Sequence, residues 1–237
     1  MTRGGGGSGN GVDGGAGEPR PVVLDRRPGL TGELVLRRRG AIYELLIDGT
    51  FCMSDHLDGA SERRQVALTL DAAREPRRLL LGGLGLGLAA ERAVEAQQLT
   101  HIVVAEVEPT IVAWHRTLLR PTRGSALDDP RVEVRIADVA DVLSAADRPF
   151  DAIALDVDNG PDWLIRPANA RLYEPAFLDV ICDRLAPAGA FSIWSERRVA
   201  TLATALQQRF AQVEEHQVPV PRGEPDWLCV AARPRAG

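Results

Sequence analysis

The sequence predicts an α/β protein built on a mostly parallel seven-stranded sheet that ends in an antiparallel hairpin, with a small N-terminal β-strand module before it. Three observations carry this. Beyond Pro76, apolar runs at Leu79 to Leu81, Ile102 to Ala105, Val132 to Ile136, Ile153 to Leu155 and Phe191 to Trp194 alternate with helical stretches, the pattern of parallel strands joined by right-handed crossovers. Past the fifth run, Val213 to Val220 and Trp227 to Ala231 follow one another across Pro221-Arg222-Gly223-Glu224-Pro225 with no helix between them, which implies an antiparallel pair. Ahead of the first run lie β-rich segments punctuated by Arg39-Gly40 and Asp48-Gly49, dipeptides suited to hairpin turns.

Taken in order, residues 1–20 are expected to form a disordered tail, because nine of the first eighteen are glycine and such a segment buries too little apolar surface to offset its chain entropy. Residues 21–60 form the β module, with strands at Glu33 to Arg38, Ile42 to Ile47 and Thr50 to Met53; it is too small to stand alone and must pack on the larger domain after it. Residues 61–237 form that domain, a Rossmann-like nucleoside-binding unit. Its first element, Glu62 to about Ala73, fits either period, but Ser61-Glu62 is a helix start and favours a helix.

Composition narrows the function. Lys and Arg total 28 against 33 Asp and Glu, a net charge of −5, which gives no reason to expect a nucleic-acid partner. The hydrophobic fraction of 45% and charged fraction of 26% match soluble globular proteins and exclude collagen-like, coiled-coil and wholly disordered classes. No apolar run approaches the roughly 18 residues of a membrane helix, and residues 1–20 lack the apolar centre of a signal peptide. A cytoplasmic protein without a membrane partner is expected. The chain has no lysine, which excludes a lysine Schiff base and a Walker-type phosphate loop. Cys52, Cys182 and Cys229 are far apart and read as core thiols; His56, His101, His115 and His216 are scattered, so no metal is expected.

The chemistry concentrates at strand ends. Leu79 to Leu81 run into Gly82-Gly83-Leu84-Gly85-Leu86-Gly87 and then a helix, an arrangement in which missing Cβ atoms and free N–H donors let a nucleoside approach the backbone. Glu106, at the end of the second strand, has the spacing of a carboxylate that takes both ribose hydroxyls; Glu108 lies just past the strand. Gly85 to Ala90 also fits a dinucleotide fingerprint, but neither Tyr43 nor Tyr173 has the Lys four residues on that a short nicotinamide enzyme of this type needs. Asp138, followed by Val139, stands where the adenine would lie. Asp156 closes the fourth strand, where an acid can deprotonate a nucleophile or hold a cationic substrate. Asp158, Asn159, Trp163 and Tyr173 come next as acceptor-pocket candidates, against the alternatives of turn chemistry and core packing. This is the Rossmann-like architecture of class I S-adenosylmethionine-dependent methyltransferases, an analogy of fold.

Gly82-Gly83-x-Gly85, Ala105-Glu106-Val107-Glu108, Leu127-Asp128-Asp129-Pro130-Arg131-Val132, and Asp151-x-Ile153 leading to Asp156 together resemble the spermidine synthase family of polyamine aminopropyltransferases, from about Glu33 to Ser195. The resemblance implies transfer of an aminopropyl group from decarboxylated S-adenosylmethionine to an amine, with release of methylthioadenosine, in a homodimer. It implies that Glu106 holds the ribose, Asp138 and Val139 the adenine, and that Asp156 is the base. The chain departs from the family where an Asp that binds the donor amine is replaced by Gly85, and where Asp-Ser-Ser-Asp becomes Asp156-Val157-Asp158-Asn159. Gln65, Ala67 and Cys52 stand where Tyr, Glu and Gln are expected. The reading is a transferase that uses S-adenosylmethionine or its decarboxylated form as co-substrate to alkylate a small polar acceptor, an amine with changed recognition. A methyltransferase and a non-catalytic nucleoside-binding relative are the alternatives.

Overall fold

The computed structural model describes residues 19–56, 59–220 and 224–235; most of the predicted tail, residues 1–18, lies outside them. Two sheets form. The first is antiparallel, in the order β1 (Val22–Pro28), β2 (Glu33–Arg39), β3 (Ile42–Ile47), β4 (Thr50–Ser54). Asp48 and Gly49 turn β3 into β4 with φ of 49° and 75°, the left-handed pair that a tight hairpin needs. β1 is an addition to the expected module. It is an edge strand whose residues are mostly exposed and which pairs with β2 through an irregularity between Val23 and Asp25, so it lacks the alternation that marks a half-buried strand.

The second sheet has the order β10-β11-β9-β8-β5-β6-β7, from β5 (Arg78–Gly82), β6 (His101–Glu106), β7 (Val132–Ile136), β8 (Phe150–Leu155), β9 (Leu185–Ser195), β10 (Phe210–Val218) and β11 (Asp226–Pro234). β5 to β9 are mutually parallel. β11 runs antiparallel between β9 and β10, so the terminal hairpin inserts its second strand inside the first. The strand order reverses between β5 and β8, which places the ligand crevice beyond Gly82 and Leu155.

Helices cover both faces. α1 (Ala60–Ala72), α2 (Leu88–Glu95) and α3 (Pro109–Arg116) share one core with the β module, where Leu34, Leu36 and Leu45 meet Val66, Leu79 and Leu81. α4 (Val139–Ser144), α5 (Pro175–Arg184) and α6 (Ala200–Arg209) form the other core around Phe150, Ile153 and the stacked rings of Phe191 and Phe210. The segment ahead of β7 is explained by its contacts: the Arg131 guanidinium holds Asp129 and the carbonyls of Val94, Ala96 and Leu99, satisfying the orphan acceptors at the end of α2. Asp151 likewise fixes the start of β5 by accepting the N–H groups of Arg77 and Arg78.

Polar ties bind the module to the larger sheet. Trp114 Nε1 donates to Asp25 at 2.9 Å, the Leu30 N–H donates to Glu108 at 2.8 Å, and Arg123 joins Asp55 to Glu91. The module thereby forms one wall of the site.

Candidate active site

A cavity of about 750 Å³ opens over the carboxyl ends of β5, β6 and β8, closed on the other side by β4 and the start of α1. Its floor is the glycine loop. Gly83 has φ of 95°, and a Cβ there would lie 2.1 Å from the Asp156 carbonyl oxygen, so only glycine lets the end of β5 pass this close to the end of β8. The Asp156 N–H in turn donates to the Gly82 carbonyl at 2.9 Å. At Gly85 the obstacle is a side chain: a Cβ would lie 2.4 Å from Met53 Sδ, and Met53 lines the cavity. Gly87 caps α2 at its N-terminus. Behind the loop, His115 is almost wholly buried and its Nε2 meets the Gly85 carbonyl at 3.0 Å.

Glu106 faces the cavity from the end of β6. It accepts the Leu84 N–H at 2.9 Å and the Glu108 N–H at 2.8 Å, so one side chain sets both the glycine loop and the turn after β6. Burial pushes its pKa up, against these hydrogen bonds. A carboxylate offers about four lone-pair sites, which leaves acceptor capacity for a ligand hydroxyl. Glu108 also lines the cavity, held by Leu30.

Asp138 and Val139 form the cavity wall at the start of α4. Asp138 caps that helix through the Ala140 N–H and pairs with Arg166 at 2.7 Å and Arg171 at 2.9 Å. Burial raises its pKa, but the arginines and the cap outweigh it and hold the carboxyl below its ordinary value. Its polar capacity is thus largely spent within the protein.

Asp156 lies at the switch point. Burial, and then the charges of Glu62 and Asp226, push its pKa up to about 8. The three carboxyls come from the end of β8, from α1 and from β11, and all line the cavity.

The loop after Asp156 lines the cavity with Asp158, Asn159 and Trp163. Asp158 is buried and accepts the N–H groups of Asn159, Ile165 and Arg166 and the amide of Asn169. Its oxygens organise residues 158–169 at the edge of the cavity. Asn159 lines the cavity while its carbonyl accepts the Glu196 N–H at 2.9 Å. Trp163 lines the cavity and is 45% exposed. Tyr173 stands apart: Leu172 supplies the cavity wall there, and the Tyr173 hydroxyl is buried without a hydrogen-bond partner among the described residues.

Among the lining residues that escaped sequence reasoning are Glu62, Trp194, Glu196 and Asp226. Glu62 read as a helix-start acid and Trp194 as core. Nothing in local periodicity marks Glu196 or Asp226: the β8–β9 pairing brings the first beside the loop after Asp156, and only the insertion of β11 beside β9 brings the second to the cavity. Cys52 also lines the cavity, and burial pushes its thiol up to about 11, so it stays neutral. Among the described residues no group of three His, Cys, Asp or Glu side chains is placed to hold a metal, and no helix is long and apolar enough to cross a membrane.

The doubly wound sheet with its reversed hairpin defines a Rossmann-like α/β protein of the methyltransferase-type fold. Within that class, the chain belongs to the spermine/spermidine synthase family, whose domain matches residues 64–230. It is 36% identical over 174 residues to a polyamine aminopropyltransferase of Mycobacterium tuberculosis, covering 71% of this chain and 32% of the relative. It is 27% identical over 219 residues to a polyamine aminopropyltransferase of Aeropyrum pernix, covering 89% and 68%. The chain thus spans about a third of the length of the mycobacterial relative. The fold superposes on the crystal structure of spermidine synthase from Thermotoga maritima with a TM-score of 0.76 at 16% identity, over 89% of this chain and 72% of the other.

Proposed function

We propose that this chain transfers an aminopropyl group from decarboxylated S-adenosylmethionine to a small amine and releases methylthioadenosine. The observation that carries the reading is Asp156, an acid lifted to about 8 by burial and neighbouring carboxylates, beside a glycine loop that can bring a sulfonium nucleoside against it. An alkylammonium acceptor, with a pKa near 10, must shed a proton before it attacks, and a base whose pKa lies near the working pH suits that task. The amine nitrogen then bonds to the methylene carbon next to sulfur as the C–S bond breaks. The bonding pair stays on sulfur, which becomes a neutral thioether, and the proton from nitrogen is held at Asp156.

In this reading Glu106 takes the ribose hydroxyls. Val139, with what capacity Asp138 retains, borders the adenine, while Trp163 and Asn159 edge the acceptor path. Met53 replaces the acid expected at Gly85, so the donor amine has an apolar thioether as its neighbour there. The names of the mycobacterial and archaeal relatives favour aminopropyl over methyl transfer. A homodimer belongs to the same proposal: Val22, Val23 and Phe51 leave apolar module surface at least half exposed, and light scattering tests it.

The test is incubation with S-adenosylmethionine, and separately with its decarboxylated form, plus a panel of amines, followed by mass spectrometry of the nucleoside product. Methylthioadenosine formed only with an amine present supports the proposal. S-adenosylhomocysteine, or no nucleoside product with any acceptor, rejects it.

A further inference from the structure

The inward face of α3 carries Ile111, Val112, Trp114 and His115. The first three are what a core face calls for; the fourth is an imidazole at 1% exposure. His115 stands one turn after Ile111, so the helical period aims it at the protein interior. There its Nε2 lies 3.0 Å from the Gly85 carbonyl oxygen. A carbonyl only accepts, so the ring hydrogen belongs on Nε2 and Nδ1 is left with a lone pair. Nδ1 is buried and has no hydrogen-bond partner among the described residues. Burial lowers the pKa of the ring and outweighs the Gly85 carbonyl, which acts the other way; the ring is neutral.

A histidine that only fills a core has both nitrogens satisfied, and a Leu in its place would fill the space without stranding one. The nitrogen that is satisfied here reaches the loop that floors the cavity. One stretch of chain holds that loop on both sides. From the end of β6, Glu106 accepts the Leu84 N–H at 2.9 Å, with the Gly85 N–H adding to the hold. From α3, His115 takes the Gly85 carbonyl. Gly87 closes the same turn by donating its N–H to the Leu84 carbonyl at 2.8 Å, and a Cβ on it would lie 2.6 Å from His115 Cε1. The ring thus presses on one glycine and tethers another. Gly85 lines the cavity and His115 does not, so the tether turns the Gly85 carbonyl away from the cavity.

We propose that His115 is a positioning residue for nucleoside binding: it touches no ligand, and it fixes from behind the glycine loop that Glu106 fixes from the front. This rests on the reading of the glycine loop and Glu106 as the nucleoside site. The ring acts in one form, the neutral tautomer with its hydrogen on Nε2. The unpartnered Nδ1 is the cost of that tether, and it is the reason a residue chosen for packing alone would not be a histidine.

The experiment is calorimetry of methylthioadenosine binding to the full chain, as wild type, His115→Leu and His115→Gln, with nitrogen–proton NMR of the wild-type imidazole. Leu fills the space without a donor, whereas Gln carries an N–H at a reach close to that of Nε2. Expected is binding weakened about tenfold in His115→Leu and restored to within about threefold of wild type in His115→Gln, as loss and return of one hydrogen bond would give. The NMR spectrum should show the hydrogen on Nε2. A packing role predicts that Leu binds as well as Gln or better. Equal affinities in the two variants, or a stronger His115→Leu, overturn the proposal. So does a wild-type ring that carries its hydrogen on Nδ1, a result that needs no variant to fold. Wild-type protein that binds no methylthioadenosine overturns the nucleoside reading together with this inference, whereas normal binding by His115→Leu overturns the inference alone.

Discussion

Met53 Sδ occupies the space that a side chain at Gly85 would need, 2.4 Å from where its Cβ would be. The backbone there is no obstacle to an acid, since φ is 48° and Asp tolerates the left-handed region better than most residues. The methionine and the glycine therefore form a coupled pair. Gly85→Asp alone should destabilise the loop, whereas Gly85→Asp with Met53→Ala should accept the carboxylate. The double variant is expected to bind decarboxylated S-adenosylmethionine about tenfold or more tightly relative to methylthioadenosine, which lacks the amine, as one charge-assisted hydrogen bond would provide. Calorimetry with both nucleosides checks it, and an unchanged affinity ratio would refute the pairing.

Asp156→Asn should lower turnover by about 10²–10⁴-fold, the usual contribution of a general base. It should also stabilise the ligand-free protein at alkaline pH. The folded pKa of about 8 lies above the unfolded value of about 3.9. The wild-type group therefore favours folding below pH 4 and loses that contribution as pH rises toward 8. Melting curves of both proteins at pH 5 and pH 8.5 should show a clearly larger advantage of the variant at the higher pH, at roughly 2–4 °C for each kcal/mol.

Glu106→Gln exchanges an acceptor-only group for one that also carries donors, and it faces two backbone N–H groups. One of them is left without a partner in a buried place, a loss of about 1–3 kcal/mol. The expected result is a lower melting temperature together with at least tenfold weaker methylthioadenosine binding. A variant that melts earlier but binds the nucleoside normally would limit Glu106 to a role in loop structure.

Arg166→Ala removes one of the two guanidinium partners of Asp138 and a contact to Asn169. The backbone of the same residue still donates to Asp158, so the loop should loosen without detaching. Amide hydrogen exchange over residues 158–169 should accelerate, with acceptor KM rising more than kcat falls. Unchanged exchange would show that Asp158 alone holds the loop.

Apolar runs and glycine punctuation were enough to read β5, β6 and β8, because buried parallel strands leave continuous hydrophobic runs, whereas the partly buried edge strand β7 is marked by alternation instead. β1 was not legible: an edge strand with Asp25, Arg26 and Arg27 in it resembles a loop until β2 is found beside it. The cavity floor was legible for a similar reason, since Gly82 to Gly87 and Glu106 are local to adjacent strand ends. The wall built by α1 and β11 was not. Glu62 and Asp226 lie 164 positions apart in sequence and meet only through tertiary packing. The loop contacts of Asp158 were not legible either, because a loop hub and a ligand-gripping acid have the same appearance in one dimension.

The insertion of β11 between β9 and β10 imposes an order of assembly. During synthesis β10 emerges before the strand that will separate it from β9, so that edge of the sheet must stay open until β11 arrives, the kind of late, non-local pairing that slows folding. Gly83, Glu106 and Asp156 belong to strands and strand ends made earlier, whereas Asp226 opens the last of the seven. A nascent or refolding chain thus completes the strand ends that carry Gly83, Glu106 and Asp156 before the strand that brings Asp226 to the cavity joins the sheet.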